Sequence, residues 1–65
     1  MDIINIYNAY IDLKQKTGED YILFCNPIDF ERELHIFKDV EIKQDKRCAA
    51  GTTYIMRKKD VLDEI

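Results

Sequence analysis

Few side chains in this sequence could do chemistry. The only histidine, His35, follows Glu31 by four residues, which puts both on one face of a helix. Glu–His pairs at helical spacing contribute to metal sites, but those sites need further ligands. One pair does not supply them, so His35 is expected as a partly exposed helix residue and no metal ligand is assigned. Cys25 and Cys48 are too few and too far apart for a zinc ribbon or a redox CxxC pair. Cys25 ends the apolar run Tyr21-Ile22-Leu23-Phe24-Cys25, where a thiol behaves as a small hydrophobe. Cys48 follows Lys46-Arg47, and adjacent cations favour a thiolate. The expectation is an ordinary loop cysteine, with a reactive thiol as the alternative. A Cys–His nucleophile pair would need one of these thiols to reach His35. No phosphate-binding glycine loop, HExxH or GxSxG is present, and the chain holds two glycines in all. It is expected to be no enzyme and to bind no cofactor.

The cations form a clearer pattern. Residues 43–59 carry Lys43, Lys46, Arg47, Arg57, Lys58 and Lys59 against one acid, Asp45, while the whole chain has a net charge of −3. Such polarity can steer an acidic partner to one end of the molecule. With Tyr54 between the cations in sequence, the segment could also contact phosphates and stack on a base. The acidic chain as a whole argues the other way, since dedicated nucleic-acid-binding domains are usually basic. Nucleic-acid association through a basic hairpin over 43–59 is therefore the alternative reading. The leading one is docking to protein, with Tyr7, Tyr10 and these six cations as the candidate contact residues.

The elements that must position these residues read as α-β-α-β-β. A helix over 2–16 is predicted from Asp2 as N-cap, from Ile3, Ile6, Tyr7, Tyr10 and Leu13 at helical spacing, and from Gly18 as the stop. Ile4 and Ile11 widen its stripe, which suggests that the helix buries more than one face. The run 21–25 lacks alternation, as a strand covered on both faces does. Asn26-Pro27 starts a second helix, with Phe30, Leu34 and Phe37 toward the core and Glu31, Arg32, Glu33 and Lys38 toward water. Val40-Glu41-Ile42-Lys43 alternates as a short strand, and 52–57 is β-branched and aromatic. The tail 60–65 reads as a helical turn capped by Asp60, with Asp63, Val61, Leu62 and Ile65, or as a continuation of the third strand.

Together these predict an α+β fold, with a three-stranded mixed sheet covered by two helices. The first two strands should be parallel across the second helix, and the last two should pair as an antiparallel hairpin.

With 65 residues, 46% hydrophobic and 35% charged, one compact domain over 1–65 is expected, not a disordered chain. No apolar run approaches the ~20 residues of a membrane span. The N-terminus has no basic region and cleavage site, so a cytoplasmic protein is expected. A domain this small has a limited core, which favours self-association or assembly with a larger partner. Ten Ile and seven Lys against three Ala and two Gly reflect AT-rich coding. That bias suggests a phage or mobile-element product acting in the host cytoplasm or the virion. It would serve there as an assembly subunit or as an inhibitor of a host protein.

Overall fold

A computed structural model of the chain describes residues 1–62. Asp2 and Gly18 bracket the first helix, α1 (Ile3–Thr17). The Asp2 carboxylate accepts the Asn5 N–H at 3.3 Å. Gly18, at φ 70°, donates its own N–H to the Lys14 carbonyl at 2.9 Å. A side chain is strained at that angle, so glycine closes the helix there. Strand β1 (Tyr21–Cys25) follows, and Asn26 caps α2 (Pro27–Arg32). The Asn26 side chain accepts the Ile28 N–H at 3.0 Å.

The second helix is shorter than its apolar spacing predicts. Glu33 leaves the helical region, at φ −137° and ψ −50°, and a 3₁₀ turn carries Leu34–Ile36. The tighter turn still buries Leu34 and packs Phe30 and Phe37 against the core, so a broken helix satisfies the same pattern. The chain continues through β2 (Ile42–Gln44), β3 (Thr53–Arg57) and α3 (Lys58–Leu62). Val40 is buried but lies outside β2, which starts two residues later than expected. Helix α3 begins directly where β3 ends, so Asp60 does not cap it; its carboxylate instead accepts from Arg57 Nε at 2.9 Å. The expectations for Asp63 and Ile65 fall outside the described residues.

The α+β fold and the three-stranded mixed sheet are as predicted, but the pairing of the last two strands is not. The strand order is β2-β1-β3, with β1 parallel to β2 and antiparallel to β3. No β2–β3 hairpin forms. The most apolar strand takes the centre, where a neighbour lies along each edge and burial of its side chains is greatest. The segment 45–52 then crosses the C-terminal end of β1 from one edge to the other. Hydrogen bonds hold it there: Asp45 N–H to the Cys25 carbonyl at 2.8 Å, Asn26 Nδ2 to the Cys48 carbonyl at 2.8 Å, and Gly51 N–H to Asp29 Oδ2 at 2.7 Å.

Residues of one parity on β1 face the main core. Tyr21, Leu23 and Cys25 cluster with Tyr10, Leu34 and Val40, and Ile42 and Ile55 pack against them from the flanking strands. Ile22, Cys48 and Val61 are buried outside that cluster. The molecule measures 29 × 27 × 17 Å. Its thinnest dimension suits one helical layer on one sheet, since a further full layer would add about 10 Å.

The Tyr10 hydroxyl explains where β2 begins. It donates to the Tyr21 carbonyl at 2.8 Å and accepts from the Glu41 N–H at 3.3 Å. One step further along, Leu23 N–H bonds the Glu41 carbonyl directly at 2.9 Å. The hydroxyl thus occupies the place of the preceding ladder bond, and regular pairing starts only beyond it.

Candidate interaction surface

Pairing register decides which side chains share the face of the sheet turned away from the main core. Phe24 lies opposite Lys43 on β2 and Tyr54 on β3, and Ile22 lies opposite Met56. Side chains alternate along a strand, so Lys43, Phe24 and Tyr54 form one row across that face and Ile22 and Met56 the next. Ile22 is buried and Phe24 half-buried, whereas Tyr54 is 54% exposed and Met56 37%. The expectation that the run 21–25 is covered on both faces thus holds at Ile22 and weakens at Phe24. A shallow depression of about 310 Å³ lies here, lined by Phe24, Tyr54, Met56 and the crossing-loop residues Asp45, Arg47 and Cys48.

The predicted contact residues do not form one surface. Tyr10 is 2% exposed, so it belongs to the core and cannot serve as a docking residue; its hydroxyl is needed between two strands. Tyr7 is half-buried, stacks on Phe37 with ring centroids 4.9 Å apart, and donates its hydroxyl to Asp39. That hydrogen bond holds the phenol and raises its pKa, with burial and the Asp39 charge acting in the same direction. Of the α1 residues read as widening the stripe, Ile11 packs on the core while Ile4 is exposed.

The basic run is dispersed and largely paired. Arg57 bonds Asp60 and lies 3.8 Å from Glu19; Lys59 reaches Glu19 at 2.9 Å and Lys58 reaches Glu41 at 3.1 Å. Lys59 and Arg57 lower the Glu19 pKa, and Glu41 raises that of Lys58. These pairs surround a second depression of about 310 Å³ lined by Gly18, Glu19, Asp20, Arg57, Lys58 and Lys59, whose three cations are each engaged by a carboxylate. In the crossing loop Arg47 Nη2 contacts Asp45 at 2.8 Å, and this contact brings the Asp45 carboxyl down to about 2. Lys43 and Lys46 are exposed and form no ion pair among the described residues.

Neither thiol is activated. Cys48 is 7% exposed, and burial, reinforced by Asp45, raises its pKa despite the opposing Arg47 charge. The reactive alternative, drawn from the adjacent cations in sequence, is therefore corrected: desolvation outweighs them. Burial likewise raises the Cys25 pKa. His35 is exposed, and its Nδ1 lies 3.1 Å from the Phe30 carbonyl. A carbonyl can only accept, so Nδ1 carries the proton. Among the described residues no hydrogen bond joins His35 to a thiol, and no group of three His, Cys, Asp or Glu side chains could hold a metal ion.

No family model matches this chain, and neither a curated protein nor a solved structure matches it. Function must be argued from the surface itself. Sequence reasoning missed Phe24 and Met56 as surface residues. The signal available was the alternation of Tyr54 and Met56 within 53–57, which marks a strand with one wetter face.

Proposed function

We propose that the protein is a non-enzymatic interaction module that docks to protein through the outer face of its sheet. The observation that carries this reading is the patch of Phe24, Tyr54 and Met56, in which two large apolar side chains are exposed side by side. Tyrosine and methionine are favoured in interface cores, while lysine is depleted there. The paired cations at 57–59 fit a rim better than a dedicated phosphate site. Assembly subunit and inhibitor of a host protein are the two forms such a module takes, and they differ in the partner it meets.

One observation favours a second reading. The row Lys43–Phe24–Tyr54 sets two rings beside an unpaired cation, a small version of the stacking platforms that bind single-stranded nucleic acid.

A photo-crosslinking residue at position 54, with one at exposed Lys38 as control, tests both. Crosslinks to protein from position 54 alone, in cells of the native host, support docking through this face. Equal yields from both positions would remove it. Fluorescence anisotropy with single-stranded DNA and RNA at low salt addresses the second reading, which requires binding that weakens with salt and with Lys43→Ala.

A further inference from the structure

The outer edge of β3 is the longer of the two open edges of the sheet. Lys58 N–H bonds the Asp20 carbonyl at 2.8 Å, which marks Asp20 and Lys58 as a hydrogen-bonded pair of the antiparallel ladder. Such pairs recur every second residue. Met56 and Tyr54 therefore turn their N–H and C=O groups toward Ile22 and Phe24 on β1. Thr53, Ile55 and Arg57 turn theirs outward. Among the described residues no loop or side chain bonds the backbone of Thr53 or Ile55 on that side, and of Arg57 the N–H is open while the carbonyl accepts the first bond of α3. The edge also lacks the usual protections: it contains no proline, its register with β1 runs without a bulge, and its first charge is Arg57 at the end. The opposite edge, β2, is only three residues long and exposes Lys43 and Gln44.

We infer that β3 pairs with β3 of a second copy, antiparallel about a two-fold axis at Ile55, to give a continuous six-stranded sheet. This deepens the docking reading and rests on it. The commitment to a second copy comes from the self-complementarity of the strand. A two-fold at Ile55 sets Thr53 opposite the partner's Arg57 and Ile55 opposite the partner's Ile55. Ile55 presents outward both the donor and the acceptor that a hydrogen-bonded pair exchanges, and on either side of it the Arg57 N–H meets the partner's Thr53 carbonyl, while the Arg57 carbonyl stays with α3. Tyr54 then meets the partner's Met56 as the non-hydrogen-bonded pair, in which Cα atoms approach to about 4.5 Å and side chains touch most closely. The two exposed apolar residues of β3 cover each other, with the favourable sulfur–aromatic contact. Arg57 faces threonine and not its own copy, so no like charges oppose. A register shifted by two residues would forfeit both the Tyr54–Met56 contacts and part of the hydrogen bonding.

The test is sedimentation equilibrium of the purified chain over roughly 10 μM to 1 mM, the range of weak docking. A dimer is expected. The chain is short enough for chemical synthesis, and N-methylation of Ile55 removes an outward N–H while leaving every side chain and every bond to β1 in place. It should raise the dimer Kd at least about tenfold. Because that variant can fail to fold, a charge series reads the register independently. Tyr54→Lys with Met56→Lys should abolish the dimer, and Tyr54→Glu with Met56→Lys should restore it by at least about tenfold relative to the double lysine. A monomer throughout the range, a dimer indifferent to N-methylation in a folded protein, or a charge series without order would each overturn the inference. A monomer that still crosslinks to another protein from position 54 overturns this pairing alone and leaves the docking reading standing.

Discussion

Replacing Tyr10 by phenylalanine removes one oxygen from the core and tests the account of how β2 is positioned. The hydroxyl serves two backbone groups, the Tyr21 carbonyl at 2.8 Å and the Glu41 N–H at 3.3 Å. Tyr21 is buried, so its carbonyl would lose its partner without gaining water, at about 1–3 kcal/mol. Glu41 is exposed, and its N–H can turn to solvent at little cost. The ring keeps its apolar contacts, so no cavity term arises beyond the oxygen itself. The expected loss is about 1–2 kcal/mol. A small domain has a urea m-value near 1 kcal/mol/M, so the midpoint of unfolding by circular dichroism should fall by about 1–2 M. The melting temperature should fall by about 4–8 °C per kcal/mol. Amide exchange at Glu41 should accelerate. A midpoint within about 0.3 M of the wild type, with Glu41 still protected, would refute the bridging role. It would mean that the two strands close up and make the direct ladder bond.

Asp29→Ala removes a 7%-exposed carboxylate that accepts the Gly51 N–H at 2.7 Å. A loss of about 1.5–3 kcal/mol and faster exchange of the Gly51 amide are expected; unchanged exchange there would separate Asp29 from the loop. Asp45, held at about 2 by Arg47 against an ordinary 3.8, contributes stability that is full above pH 3.8 and is lost as the pH falls through about 2. The side-chain carboxyl signal of Asp45 in NMR should titrate near that lower value, and Arg47→Ala should raise it part of the way back, since the residue-47 backbone N–H still donates to the carboxylate. Both thiols are buried with raised pKa values. A thiol reagent at neutral pH should therefore label the native protein slowly and the urea-unfolded protein at once; rapid labelling of Cys48 in the native state would contradict the desolvation that the structure assigns it.

The local features of this protein were legible in its sequence because short-range chemistry dictates them. Asp2 and Gly18 fix α1, and Asn26-Pro27 starts α2, since each acts through atoms within one helical turn. The unbroken apolar run 21–25 announced a strand covered on both faces. What tertiary structure alone decided was the pairing. Val40-Glu41-Ile42-Lys43 and 52–57 are each plausible hairpin arms, yet both prefer the edges of β1, because the central strand gains a ladder on each side. That choice converts 45–52 from a hairpin loop into a crossing over the end of β1, and it draws Asp29 from a helix-start residue into a loop anchor. Charge was equally a matter of the fold: Arg57, Lys58 and Lys59 read as a basic run until Glu19, Glu41 and Asp60 arrive beside them. Tyr10 shows the same limit in one residue. Helical spacing placed it on the inner face of α1, but only the gap between Tyr21 and Glu41 gave its hydroxyl a partner on either side and took it out of reach of any docking surface.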